Sequence, residues 1–243
     1  MKKICISVLF AISTQVAVAQ KSFILSRIDH RGFINLSGGV SMPIQSLMKA
    51  DPTATSDVTA LRGSSMQVSA GYRLGRFLGV MGSVTNCLNE SGTGQMLQNI
   101  QKSHLGASWT ANGGTWNCTH AMAGPYASFS AGLWMFDVRV SGGYSWIQRP
   151  STELKGQYFE VPIYIRTSQL RAGGITAGVG TSIRCKITRN LAFAIHGDYV
   201  TTRASFNNVN STLTIGKETV NETLREVHPI GLLNLNGGLS LLF

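Results

Sequence analysis

Apolar and polar residues alternate along most of this chain, one residue at a time, in short segments separated by turns. The first segment, GFINLSGGVSM (32–42), puts Ile34, Leu36, Gly38, Val40 and Met42 on one face and Phe33, Asn35, Ser37, Gly39 and Ser41 on the other. A period of two is the mark of a strand with one apolar and one polar face. The same alternation recurs at 65–74, 77–88, 135–147, 174–186, 191–200 and 231–243. A further segment, HAMAGPYASF (120–129), has strand composition but does not say which face is outward. The pattern predicts eight strands.

The connections alternate as well. Short turns fall near residues 74–76, 131–133 and 188–190, whereas the links at 43–63, 89–115, 148–171 and 204–227 are long and polar. An even number of strands, short turns on one side and long loops on the other describe a transmembrane β-barrel. The expected fold is all-β, an eight-stranded antiparallel up-and-down barrel closed on itself, so that no sheet edge meets lipid. The charged members of the alternation are Arg73, Asp137, Arg139, Arg184, Lys186 and Asp198. Facing lipid, each would cost about 2–4 kcal/mol near the midplane. They are therefore expected inside, where Arg73, Asp137, Arg139, Arg184, His196 and Asp198 form a polar network of the lumen beside Asn35, Asn234 and Asn236. An eight-stranded interior is barely wide enough for side chains.

The chain opens MKKICISVLFAISTQVAVAQ, with Lys2 and Lys3, a short apolar run and then Ala17-Val18-Ala19. That order describes a secretory signal peptide over 1–19, cleaved after Ala19, followed by a barrel domain over 20–243. The leader's loss lowers the formal charge from +10 to +8. No stretch approaches the ~18 apolar residues of a membrane helix. The basic residues are scattered singly, with no cluster or motif for nucleic acid. Their excess suits a surface in contact with anionic lipid headgroups.

The C-terminal Leu239, Leu241 and Phe243, apolar at every second position and ending on an aromatic, resemble the signal read by the outer-membrane insertion machinery. Together with GFINLSGGVSMPI, AMAGPYASF and the Ala19–Gln20 junction, they make the mature chain resemble small OmpA-like and OmpX-like outer-membrane barrels. Among these it is most similar to the outer membrane protein β-barrel domain proteins of Bacteroidota. The resemblance implies the outer membrane of a Gram-negative bacterium, with the insertion machinery, outer-membrane lipid and lipopolysaccharide as partners. It is nearly silent on activity.

Candidate chemistry is sparse. Cys87 and Cys118 fall near the outer rim of one hairpin, where an oxidising envelope would permit a disulfide between them, leaving Cys185 over. Metal spacing is absent, and neither metal nor other cofactor is expected. His196 lies two residues before Asp198 on the same face, which admits either an oriented general base or a member of the lumen network, and the network is the favoured reading. Lipid A deacylase barrels carry an outward His-x-Ser motif that this sequence lacks. The loop SWTANGGTWNCTH holds Trp109 and Trp116, either as an exposed aromatic pair or as packing. The expected role is structural or surface-interacting, carried by the loops at 43–63, 89–115, 148–171 and 204–227, without catalysis. A small porin-like channel is the first alternative and a lipid-modifying enzyme the second.

Overall fold

The computed structural model describes residues 30–44, 60–103, 108–158 and 161–243, so the expected leader lies outside the described residues. In chain order the elements are β1 (Gly32–Pro43), β2 (Ala60–Arg73), β3 (Leu78–Ser91), α1 (Thr93–Ser103), β4 (Ser108–Gly113), β5 (Thr115–Ala131) and β6 (Trp134–Arg149). They continue with β7 (Thr152–Tyr158), β8 (Val161–Thr167), β9 (Leu170–Lys186), β10 (Leu191–Ile215) and β11 (Glu218–Leu242). Eight of them, β1, β2, β3, β5, β6, β9, β10 and β11, pair antiparallel with their neighbours in that order, and β11 pairs with both β10 and β1. The sheet is therefore a closed eight-stranded up-and-down barrel.

Its side-chain pattern is inside out. Ile34, Leu36, Val68, Val80, Val138, Val140 and Ile195 are exposed on the outer wall, and Ile175 is 84% exposed. Asn35, Ser37, Gln67, Arg139, Asp198 and Asn236 are buried within. A continuous apolar exterior over a polar interior is a wall built for hydrocarbon rather than water. Among the described residues no helix is long and apolar enough to cross a membrane.

The strand whose facing the sequence leaves open is β5. His120, Met122, Tyr126 and Ser128 point into the lumen, buried, while Ala123 and Pro125 lie on the outer wall with Ala121 and Ala127. Alternation is illegible there because the lipid side carries alanines and the lumen side carries bulky groups, the reverse of the contrast in the other strands.

Two expectations need correction. The lumen is not polar throughout. Phe33, Met81, Tyr126, Met135, Ala192 and Leu242 form an apolar layer at the short-turn end. Trp116, Phe206, Ile147, Ile230 and Leu232 form another, with smaller neighbours, at the long-loop end. The polar section lies between these two layers. The Trp116 and Phe206 rings meet edge to face at 6.4 Å, and Phe33 and Tyr126 do so at 5.8 Å. Side chains that reach past the end of a narrow lumen gain more from packing on each other than from water, so inward positions near the rims are apolar.

The second correction concerns the long connections. The links at 148–171 and 204–227 are mostly strand, and that at 89–115 holds α1 and β4. β10 and β11 run on past the barrel as one hairpin, turning at Gly216, whose φ of 60° suits a residue without Cβ. β8 pairs with the far end of β10 over Ser211–Ile215, β7 pairs with β8, and β4 pairs with β7. The result is a sheet standing outside the barrel. One of its faces is apolar, with Leu154, Ile163, Ile165, Leu213 and Ile215 level in register and Leu154 buried, while the other carries Glu153, Lys155, Tyr164 and Arg166. The segments that supply them are remote in sequence and lie within links that read as polar. Thr212 donates to Asn221 Oδ1 at 2.9 Å and Thr223 to Asn210 Oδ1 at 3.2 Å across the hairpin.

Placing a charge on the wall tests this architecture. Val140→Arg is expected to cost about 2–4 kcal/mol, read as a lower urea midpoint for the barrel folded in lipid vesicles. Retention of full stability by this variant would mean that the face is not in hydrocarbon.

Candidate functional site

The central lumen holds a charged quartet built by three adjacent strands. Arg139 Nε donates to Asp198 Oδ1 at 2.8 Å, with Nη2 at 2.5 Å from the same oxygen. Arg184 Nη2 lies 2.8 Å from both oxygens of Asp137. Ser182 joins the two pairs: its hydroxyl donates to Asp137 Oδ2 at 2.9 Å and accepts from Arg139 Nη1 at 3.2 Å. All four charged residues are buried, and two guanidinium groups offset two carboxylates. Gln67 Nε2 reaches from β2 to Asp198 Oδ2 at 3.1 Å and ties the opposite wall to the quartet. Below it, the Arg184 guanidinium sits 4.1 Å over the Phe33 ring, joining the polar section to the lower apolar layer. A second polar patch links β1, β2 and β11, where Ser240 donates to Asn35 Oδ1 at 3.0 Å and Ser65 donates to Asn236 Oδ1.

Gly180 is what lets the quartet close. A Cβ there would overlap Asp198 Oδ1 and crowd the Arg139 guanidinium, so the β9 backbone must be bare where the salt bridge crosses it.

The remaining residues singled out by sequence fall in different places. Arg73 is buried near the lower rim and donates to the His30 carbonyl at 2.9 Å. His196 is buried in the lumen, but no hydrogen bond joins it to Asp198, whose oxygens are taken by Arg139 and Gln67. An oriented acid–base pair is therefore not assembled. Leu239, Leu241 and Phe243 lie outward and exposed on β11. Cys87 and Cys118 stand directly opposite each other in the β3–β5 register, yet they are separate thiols. Cys87 Sγ reaches Asn234 Oδ1 of β11 at 3.4 Å. Both are buried in the upper apolar layer, inside the barrel rather than on its rim. Trp109 and Trp116 do not form an exposed pair: Trp116 is buried in that same layer, and Trp109 lies across Gly156 of the outer sheet.

One juxtaposition could not be foreseen. His120 Nδ1 lies 2.6 Å from Ser145 Oγ, and both are fully buried. The pair follows from the β5–β6 register, which is unreadable while the facing of β5 is open. Among the described residues no carboxylate orients this histidine, and no group of three His, Cys, Asp or Glu side chains is placed to hold a metal ion.

No protein-family description matches the chain, and no curated protein sequence does. Among solved structures it is similar to a major outer membrane protein from Thermus thermophilus at 12% identity, covering 88% of this chain and 100% of that one with a TM-score of 0.46. It is also similar to Neisserial surface protein A, at 12% identity over 87% and 97% of the two chains, TM-score 0.44. A third is Ail, the attachment invasion locus protein of Yersinia pestis, at 13% identity over 87% and 99%, TM-score 0.41.

Two measurements probe the lumen. Asp198→Ala strands the buried Arg139 and should cost about 3–5 kcal/mol, whereas Asp198→Ala combined with Arg139→Met should recover most of that loss in the same unfolding assay. A maleimide probe should leave Cys87 and Cys118 unmodified in the folded barrel and label them after denaturation under reducing conditions. Rapid labelling of either thiol in the folded protein would contradict the sealed upper layer.

Proposed function

We propose that this is an outer-membrane protein of a Gram-negative envelope whose role is surface interaction, carried by the sheet that stands beyond the barrel, with no catalysis and no cofactor. The observation that carries the reading is the continuation of β10 and β11 past the wall, with β8, β7 and β4 added alongside. A chain that needed only an anchor would close this hairpin at the membrane. Here it extends a sheet whose last strand, β4, has no further strand beside it among the described residues. Such an edge can accept an extended segment of a partner by main-chain hydrogen bonds. Arg166 and Glu153 pair at 3.6 Å on this sheet, and Lys155 lies over the Tyr164 ring, which gives one face charged and aromatic groups for recognition.

The closed lumen argues against the channel alternative. A solute would have to pass two apolar side-chain layers and a neutralised charge quartet that spans the bore. The enzymatic alternative finds little support, because the buried His120–Ser145 pair lacks both an orienting acid and access from either face. The finer assignment, to the OmpA-like and OmpX-like barrels of Bacteroidota type, rests on the segments that resemble them and on the outward C-terminal Leu239, Leu241 and Phe243. Lipopolysaccharide and the insertion machinery are the partners this assignment brings.

Replacing residues 206–227 by a short turn is the decisive test. The shortened protein should still give the faster-migrating unboiled band of a closed barrel and should lose attachment of expressing cells to immobilised host or bacterial surfaces. Planar-bilayer recordings of the full protein should show no stable conductance steps. Sustained single-channel conductance would replace this reading with the channel.

A further inference from the structure

We infer that the outward face of β5 is a docking furrow for a phosphorylated, multiply acylated glycolipid of the outer leaflet. The inference rests on the outer-membrane reading above and adds a site on the barrel wall, separate from the outer sheet.

The furrow follows from what β5 lacks. Its outward residues descend as Asn117, Thr119, Ala121, Ala123, Pro125 and Ala127, with nothing larger than a five-membered ring between Thr119 and Phe129. At the level of Ala123 the neighbours are bare as well: the register sets Gly82 of β3 on one side and Gly142 of β6 on the other. Packing of the wall does not require these two glycines. A Cβ at Gly82 would come no nearer than 3.7 Å to any neighbour, and one at Gly142 no nearer than 3.8 Å. The larger side chains Val84 and Tyr144 stand above this level, and Val80 and Val140 below it. Two shallow cavities of about 570 and 660 Å³ lie here end to end, sharing Ala70, Gly82 and Ala123, and carbon dominates the lining of both.

The upper end changes character within two residues. A third cavity, of about 410 Å³, opens at Asn117 and Thr119 beside Gln148 and Arg171. In register, Asn117 faces Gln148, and Gln148 faces Arg171. Asn86 donates to Asn117 Oδ1 at 2.8 Å and to Thr119 Oγ1 at 2.9 Å, so an amide and hydroxyl ladder lies on the outside of the wall where the apolar rows stop. Tyr144 and Trp146 stand edge to face at 5.2 Å along one side, both exposed, as aromatic groups do at a membrane interface. Arg171 Nε donates to Gln148 Oε1 at 3.1 Å, which steadies the guanidinium, and its two terminal nitrogens have no partner among the described residues.

These parts match one kind of occupant. An exposed guanidinium at headgroup depth, with no carboxylate paired to it among the described residues, suits a phosphate. Amides, a hydroxyl and flat aromatic faces at the same depth suit a sugar. The trough below takes acyl chains, and the side chains missing from Gly82, Ala123 and Gly142 are the space those chains fill. A phospholipid would use the cation and the trough but leave the polar ladder without a sugar to bind.

The test uses the full folded protein in detergent micelles, titrated with bis-phosphorylated lipid A, phosphatidylglycerol or phosphatidylethanolamine and read by native mass spectrometry. Lipid A adducts are expected to dominate. Arg171→Ala should weaken them about tenfold, Ala123→Phe should do so by filling the trough, and Arg62→Ala, an outward arginine on β2, should leave them unchanged. Gly142→Val provides a second filling variant should Ala123→Phe not fold. Equal retention by the wild type, Arg171→Ala and a folded filling variant would overturn the furrow. Retention of phosphatidylglycerol as strong as that of lipid A would overturn its assignment to a glycolipid. Boiled and unboiled gels of every variant keep the two readings apart: loss of the faster band in the wild type itself would overturn the barrel, and its presence with no adduct would overturn the furrow alone.

Discussion

The hydrogen-bonded seam between β1 and β11 is the interaction on which everything else depends. In hydrocarbon an unpaired amide or carbonyl costs several kcal/mol, so a sheet of this kind exists only if its first and last strands find each other. Here they pair from Phe33–Leu242 to Pro43–Leu232 without a break in register. The Gly32 amide donates to the Phe243 carbonyl at 2.8 Å, and the Phe243 amide returns a bond to Gly32 at 3.0 Å. The Phe243 ring lies over Gly32, where a side chain would displace it. The terminal aromatic thus clamps the joint as well as facing the lipid.

Once the cylinder is closed, its bore must be filled, and the filling sets what the protein can do. Two apolar layers cap a polar middle in which each buried arginine of the quartet meets a carboxylate. The pairs are not in themselves a large source of stability, because desolvation offsets much of their attraction. Their effect is on uniqueness: β6, β9 and β10 are held in one register, and Gln67 carries that constraint to the far wall. A bore fixed in this way leaves the exterior, above the membrane and along its wall, as the surface open to other molecules.

Much of the barrel was legible because lipid imposes a strict contrast on alternate residues. Arg139, Arg184, Asp137 and Asp198 could face only one way, and β6, β9 and β10 declare their faces through such residues. Legibility failed where the contrast vanished. β5 shows alanine to lipid and His120, Met122 and Tyr126 to the lumen, so its phase, and with it the His120–Ser145 contact, was hidden. The outer strands failed for another reason: Leu154, Ile165 and Leu213 meet on one face only because segments remote in sequence pair in register, and no one segment shows that shared face by itself. The link from Gln67 to Asp198 spans the bore between strands far apart in sequence, and no local pattern encodes it. The thiols were legible as opposite neighbours, whereas the contact of Cys87 with Asn234, on a strand far away in sequence, was not.

The unbroken length of β10 and β11 has a mechanical consequence. Each runs for 25 residues, about 85 Å of extended chain, against an apolar band about 25 Å tall. Tension on the outer sheet therefore reaches the membrane along the strands, through one register shift between Phe206 and Val209 and with no intervening loop. It loads their cross-strand bonds in shear, where many must yield together, rather than peeling them open one by one. Since β11 is also the closing strand, the load passes into the seam with β1 and is shared around the whole cylinder. A cell held by this sheet would be held by the barrel itself.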